Sequence, residues 1–179
     1  MNATQKKIQK TSRVIAVITK ILAITSIVFL CFEITGLLWY MVSPDAAYFM
    51  LGSIRVITPI EISGQMGIIP EMFTSVASQC FFTAIIIITS RIFKDISRES
   101  SPFLKQNVKR MKKIAILLLL NSIISPSIQQ AISKSMNLTS QMEPFNYNSE
   151  MFILAIVIFC FAMIFEYGTD LQQLSDETL

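Results

Sequence analysis

Four stretches of this chain are too long, too apolar and too poor in charge to be the buried side of a water-soluble fold. They run from Ile21 to Val42, from Phe73 to Ile92, from Ile114 to Ile132 and from Met151 to Tyr167. A helix needs about 20 consecutive, mostly apolar residues to cross the hydrocarbon core of a bilayer. Inside that core the backbone must satisfy its own hydrogen bonds, so each run is expected as an α-helix. The expected fold is an all-α membrane protein of one domain, residues 1–179, with four transmembrane helices in a bundle. The spans are placed at about 17–42, 73–96, 102–132 and 150–168. The first run is read as a retained span rather than a cleaved leader. Its apolar part is too long, and no small-residue cleavage site follows Val42.

Composition narrows the chemistry. Charged residues make up 15% of the chain, where a soluble domain carries about 25%. There is no histidine, which removes Ser-His-Asp and Cys-His nucleophiles, His-ligated zinc and a histidine pH switch. Cys31, Cys80 and Cys160 each sit within an apolar run and are read as small hydrophobes. No phosphate loop, dinucleotide fingerprint or metal-ligand spacing occurs, so no cofactor or metal is expected.

Lys and Arg set the expected orientation. Lys6, Lys7, Lys10, Arg13 and Lys20 precede or open the first span. Arg91, Lys94, Arg98, Lys105, Lys109, Arg110, Lys112 and Lys113 surround the connection between spans two and three. The other two connections hold only Arg55 and Lys134. The split of 13 to 2 predicts cytoplasmic termini and a cytoplasmic middle connection. Trp39 and Tyr40 at the outer end of span one, and Tyr167 at the inner end of span four, suit the interfaces where amphipathic rings collect.

Residues 48–64, YFMLGSIRVITPIEISG, are rich in β-branched side chains and broken by Gly52 and Pro59. They are expected to form a short extracellular β-like segment between helices 1 and 2. The Asn137-Leu138-Thr139 tripeptide has the form of a glycosylation acceptor but is a weak signal.

The middle connection carries the clearest local code. Ser101 followed by Pro102 is an N-cap and first-turn pair, so the third helix is expected to start at Pro102. Leu104, Val108, Met111 and Ala115 then recur on one apolar face, with Lys105, Lys109, Lys112 and Lys113 on another. The lysines can meet anionic lipid headgroups, or an acidic protein partner. Direct nucleic-acid binding is not expected, because no recognition module can be built here. Further along, Pro126 removes a backbone donor and frees the carbonyl of Ser122, so a kink is expected there. Nearby serine hydroxyls and amides are expected to satisfy the freed groups.

Glu33 is the one acid deep within a span, nine residues before Val42. An ionised side chain there costs several kcal/mol unless it is paired, hydrated or protonated. Gln79, Gln129 and Gln130 lie at similar depth on other spans and are expected to converge with Glu33 on a polar pocket. Such a pocket either ties the helices together or takes a ligand, ion or proton. No second intramembrane carboxylate supports paired-carboxylate catalysis.

Two stretches resemble a known family. The first is Ile92-Phe93-Lys94-Asp95-Ile96 with Ser101-Pro102-Phe103, Asn107, Lys109 and Arg110. The second is Phe165-Glu166-Tyr167-Gly168-Thr169-Asp170-Leu171-Gln172 with Asp176-Glu177-Thr178-Leu179. Together they resemble the bacterial domain-of-unknown-function 2975 family of small four-helix membrane proteins. This chain has Ser100-Ser101 where that family usually has glycine before Pro-Phe. The resemblance implies no established activity, but a small helix-turn-helix regulator often accompanies members of the family. The first reading is therefore a non-enzymatic sensor or membrane-bound partner of such a regulator. Its candidate docking surface is Phe93, Pro102, Phe103, Asn107, Lys109, Arg110, Gly168, Leu171 and Asp176. Leu171, Leu174 and Leu179 are expected to pack on Phe103, Leu104 and Val108. The alternative is a small-molecule or peptide transport or immunity protein using the polar pocket around Glu33.

Overall fold

The structure, a computed structural model, describes residues 3–43, 68–99, 104–136 and 147–177. They form four helices: α1 (Ala3–Val42), α2 (Ile68–Glu99), α3 (Lys105–Ser135) and α4 (Ser149–Glu177). Each is long and apolar enough to cross a membrane. Among the described residues there is no strand. The β-like segment expected over 48–64 lies outside them.

All four helices run past the expected spans. The 40 residues of α1 extend about 60 Å at 1.5 Å per residue, twice the hydrocarbon thickness. Apolar runs mark where lipid begins, not where a helix stops. Lys, Arg, Gln and Glu are good helix formers, so α1 begins at Ala3 and α4 continues to Glu177. The start of α3 is a correction in the other direction. Leu104 has extended backbone (φ −109°, ψ 128°) and caps the helix without a side-chain hydrogen bond, so α3 begins at Lys105. Ser101, Pro102 and Phe103 lie outside the described residues. In α2, Pro70 falls in the first turn, where its missing N–H removes no helical bond.

Helices adjacent in sequence pack together: α1 on α2, α2 on α3 and α3 on α4. All three pairings are antiparallel. Ser26 meets Thr83 while Glu33 meets Ser75. Arg110 meets Asp95 while Ser125 meets Ser78. Lys105 meets Gln173 while the Ser122 carbonyl meets Asn148. The helices thus form a row with α1 and α4 at its ends. The N-terminus of α1, the C-terminus of α2, the N-terminus of α3 and the C-terminus of α4 share one end, here the basic end.

The seam of α1 repeats every seven residues. Ser12, Ala16, Thr19, Ala23, Ser26, Leu30, Glu33, Leu37 and Tyr40 alternate at spacings of four and three, and all are buried or half-buried. That period keeps one stripe on a left-handed, slightly supercoiled partner. A cluster of Tyr40 and Met72, flanked by Leu37 and Ile69, closes the far end of this pair. The other core lies where α2, α3 and α4 meet, around Ile92, Ile114, Leu118 and Ala155. Between α3 and α4 the most enclosed residues are small: Ala115, Ser122, Ala155 and Ala162. Small residues let membrane helices approach closely where lipid supplies no hydrophobic drive between them. The outer sides of α1 and α4 expose large apolar residues such as Val28, Met41, Ile153 and Ile164, as a lipid-facing surface would.

Candidate functional site

The polar residues of the spans pair across the helix seams in separate small groups. In the α1–α2 seam, Ser26 and Thr83 share a hydrogen bond of 2.7 Å between hydroxyls. Gln79 Nε2 donates to Ser26 Oγ at 3.2 Å and to the Ser26 carbonyl at 3.4 Å. One turn away along α2, Ser75 Oγ donates to Glu33 Oε1 at 2.9 Å. Glu33 Oε2 is buried with no hydrogen-bond partner. Ser26 and Glu33 stand seven apart on α1, while Ser75, Gln79 and Thr83 stand four apart on α2, so both sets share one interface.

Further groups join α2 to α3 and α3 to α4. Ser78 Oγ donates to Ser125 Oγ at 2.8 Å, and Ser125 Oγ donates to Asn121 Oδ1 at 2.7 Å. Pro126 lies within α3, so the Ser122 carbonyl lacks its usual helical donor. The Asn148 N–H fills the vacancy at 3.1 Å. Asn148 is also the N-cap of α4, where its Oδ1 accepts from Met151 N–H at 3.2 Å. Tyr147 packs edge-on against Phe152, with ring centroids 5.7 Å apart, as a staple across the cap. The proline of one helix thereby anchors the start of the next. Ser122 and Ser127 hydroxyls instead donate to carbonyls of their own helix, at Leu119 and Ile123.

The expected convergence on Glu33 is corrected in its partners. Glu33 bonds Ser75, and Gln79 bonds Ser26. Gln129 and Gln130 are exposed on α3. The reason is the order of the row: α1 packs on α2, and α3 packs on the other side of α2. Depth in the membrane does not determine which helices touch. Ser75 was readable only from its spacing to Gln79 and Thr83.

At the basic end, Arg110 forms an ion pair with Asp95 and donates to Asn107 Oδ1 at 3.2 Å. Asn107 is 2% exposed, so it braces the α2–α3 junction rather than offering a surface. Its Nδ2 has no hydrogen-bond partner. Lys112 pairs with Glu166 at 2.7 Å and Lys105 Nζ donates to Gln173 Oε1 at 2.6 Å. Both contacts join α3 to the last turns of α4. The Lys112–Glu166 ion pair is part-exposed, a class worth about 0–1 kcal/mol. Lys109 is exposed, Phe93 and Gly168 are half-buried, and Leu171 is exposed. Pro102, Phe103, Leu179 and the side chain of Asp176 lie outside the described residues.

The two stretches at the basic end therefore meet, but through other residues than expected. Leu171 and Leu174 are 49% and 59% exposed. They do not bury themselves on α3, because the α3-facing side of α4 is taken by Glu166, Thr169 and Gln173.

Four helices long and apolar enough to span a membrane make this a chain of the multi-pass membrane class. Comparison with protein-family models, with curated proteins and with solved structures gives no match to this chain. Among the described residues, no group of three or more Cys, Asp or Glu could hold a metal ion.

Proposed function

We propose that this is a non-enzymatic bacterial membrane protein with cytoplasmic termini, acting as a sensor or membrane-bound partner of a small helix-turn-helix regulator. The observation that carries the reading is the pairing of α3 with the end of α4. Lys105–Gln173 and Lys112–Glu166 tie the start of α3 to the end of α4, next to the residues on which the resemblance to the domain-of-unknown-function 2975 family rests. Around these pairs Lys109 and Lys113 on α3 and Asp170 on α4 are exposed. Exposed Lys20, Arg91, Lys94 and Arg98 on α1 and α2 suit anionic lipid headgroups, each worth about 1 kcal/mol near a charged leaflet. The regulator, not this chain, would contact DNA.

The test uses the full chain in vesicles and the helix-turn-helix protein encoded beside its gene. Binding that weakens in the K109E/K113E variant supports the reading. Absence of binding, or binding indifferent to those charges, overturns it. Orientation is checked in whole cells: K134C should react with an impermeant thiol reagent from outside, and K109C only after permeabilisation. Reaction of K109C from outside would reverse the topology.

A second reading, transport of or immunity to a small molecule or peptide, draws support from one feature. Glu33 Oε2 is a buried acceptor with no partner inside the α1–α2 seam. A ligand amine or hydroxyl could supply the missing donor.

A further inference from the structure

Cations from three helices come together on one side of the row. Ser75, Gln79, Thr83, Ile87 and Arg91, four apart, sweep across the α1–α2 seam by about 40° a step. Ser26, Ala23 and Lys20, three apart, step out of the same seam by about 60° a step, away from Glu33. Glu33 and Ser75 meet on one side of that seam, so Lys20 and Arg91 both emerge on the other. Asn107, Arg110 and Lys113 step out of the α2–α3 seam in the same manner. Arg110, the middle of the three, reaches Asp95 and the carbonyl of Arg91, so Lys113 lies on the side of Arg91. Ser26 meets Thr83, and Arg110 meets Asp95, in antiparallel pairs. Lys20, Arg91 and Lys113 therefore stand within about 5 Å of one height. All three are exposed. Arg13, Arg98 and Lys109, also exposed, repeat the row nearer the helix ends. Among the described side chains, the acid on this side is Asp95, and Arg110 pairs with it. On the Glu33 side, at the height of Lys20, α1 exposes Ile18 and Leu22 instead.

We propose that this face binds one anionic lipid with two phosphates on a single headgroup, of the cardiolipin class. The proposal rests on the reading that the basic end meets anionic headgroups, and it names the lipid. Orienting a helix in a bilayer calls for cations near its end, but not for cations on one side. A basic recess between membrane helices is what a phosphate headgroup fits. Neighbouring helix axes lie about 8–10 Å apart, so two phosphate positions arise about that far from each other. The first lies between Lys20 and Arg91, the second between Arg91 and Lys113. Arg91 serves both, because its planar guanidinium presents several donors in a fixed fork. Two phosphates joined through one glycerol cover most of the distance, and the flexible lysine stems close the rest. A lipid with a single phosphate fills one position and leaves the other to a second molecule, which must be ordered separately. Seven residues further into the span on the same side stand Ile27, Ala84 and Leu120. Ile27 and Leu120 are exposed, and Ala84 is half-buried on the helix between them. The small residue leaves a shallow trough for acyl chains directly above the cations. A soluble phosphate compound would make no use of it, so the occupant is a lipid.

The test is native mass spectrometry of the full chain released from detergent micelles. The chain is titrated with cardiolipin, or with phosphatidylglycerol at equal phosphate. One cardiolipin should bind, with a dissociation constant at least about tenfold below that of phosphatidylglycerol. K20Q/R91Q should raise the cardiolipin constant at least about tenfold, since each cation near a headgroup is worth roughly fivefold. K20R/R91K keeps both charges and should bind as the wild type does. Lys7 and Lys10 are exposed on α1 outside the row. K7Q/K10Q removes the same charge more than about one screening length from Lys20, and should change the constant less than about twofold. Equal affinity for the two lipids would overturn the two-phosphate site and leave a general attraction to headgroups standing. Equal losses in K20Q/R91Q and K7Q/K10Q would overturn it in the same way. Binding of neither lipid would remove the headgroup reading as well. The regulator is read separately through K109E/K113E, so its binding stands or falls independently of these outcomes.

Discussion

Replacing Ala162 by leucine tests the packing of the last two helices directly. Ala162 is fully buried (0% exposed) and Ala115 is 3% exposed. Because Lys112 meets Glu166 and the helices run antiparallel, one further turn brings Ala115 opposite Ala162. Leucine adds three carbons where neither helix leaves room. Extra methylenes in a packed interior cost about 1–3 kcal/mol, and widening the α3–α4 gap also separates Lys112 from Glu166. The expected loss for Ala162→Leu is therefore about 2–3 kcal/mol, at the upper end of that range. Met163→Leu is the control: Met163 is 49% exposed, and a volume-conserving change at such a position should stay within about 0.5 kcal/mol. Adding Ala115→Gly to Ala162→Leu should recover part of the loss, less the ~1 kcal/mol that glycine costs a helix. The measurement is reversible unfolding of each variant in one mixed-micelle condition. If Ala162→Leu is as mild as Met163→Leu, that face of α4 meets lipid and the α3–α4 packing described above is wrong.

Three further outcomes are expected. A double-mutant cycle of Ser26→Ala and Thr83→Val, read by the same unfolding, should give a coupling near 0.6 kcal/mol, the average for hydrogen bonds between membrane helices; zero coupling would remove the bond from the seam. Glu33→Leu should cost no more than about 1 kcal/mol, since it removes one such bond to Ser75 along with an unpartnered oxygen, and Glu33→Gln should be milder still; a larger loss would make the carboxylate a structural tie. Asn148→Ala should cost about 1 kcal/mol by loss of the cap and speed hydrogen exchange at the Met151 amide, whereas unchanged exchange there would exclude the cap.

Features that depend on local chemistry were legible in the sequence. Four apolar runs become four helices because a bilayer admits no other backbone arrangement at such lengths. The freed Ser122 carbonyl follows from the geometry of Pro126 alone. Its donor was not legible, because Asn148 belongs to another helix and is 26 residues further on. The same limit applies to Glu33. Its depth was readable, but its partner depends on the order of helices in space, and Ser75 carries no signal beyond its spacing from Gln79. The start of α3 shows a local rule that did not hold. Ser101-Pro102 has the pattern of a helix start, yet the extended backbone of Leu104 delays it to Lys105.

Three faces of this chain repeat with the same period of seven, and what fills each decides what the face can do. The α1 seam carries Ser26 and Glu33 among small and apolar residues, and its hydrogen bonds specify which side of α2 it meets. The inner face of α4 carries Ala155, Ala162 and Thr169, spaced by seven, and its closeness to α3 rests on small volume rather than polarity. The outer face of α4 exposes large apolar residues at the same spacing, among them Val157, Ile164 and Leu171. A face of small residues closes on a near neighbour, and a face with hydroxyls selects one. A face of large apolar residues within a span is covered by acyl chains and selects no partner, because lipid tails are as apolar as leucine.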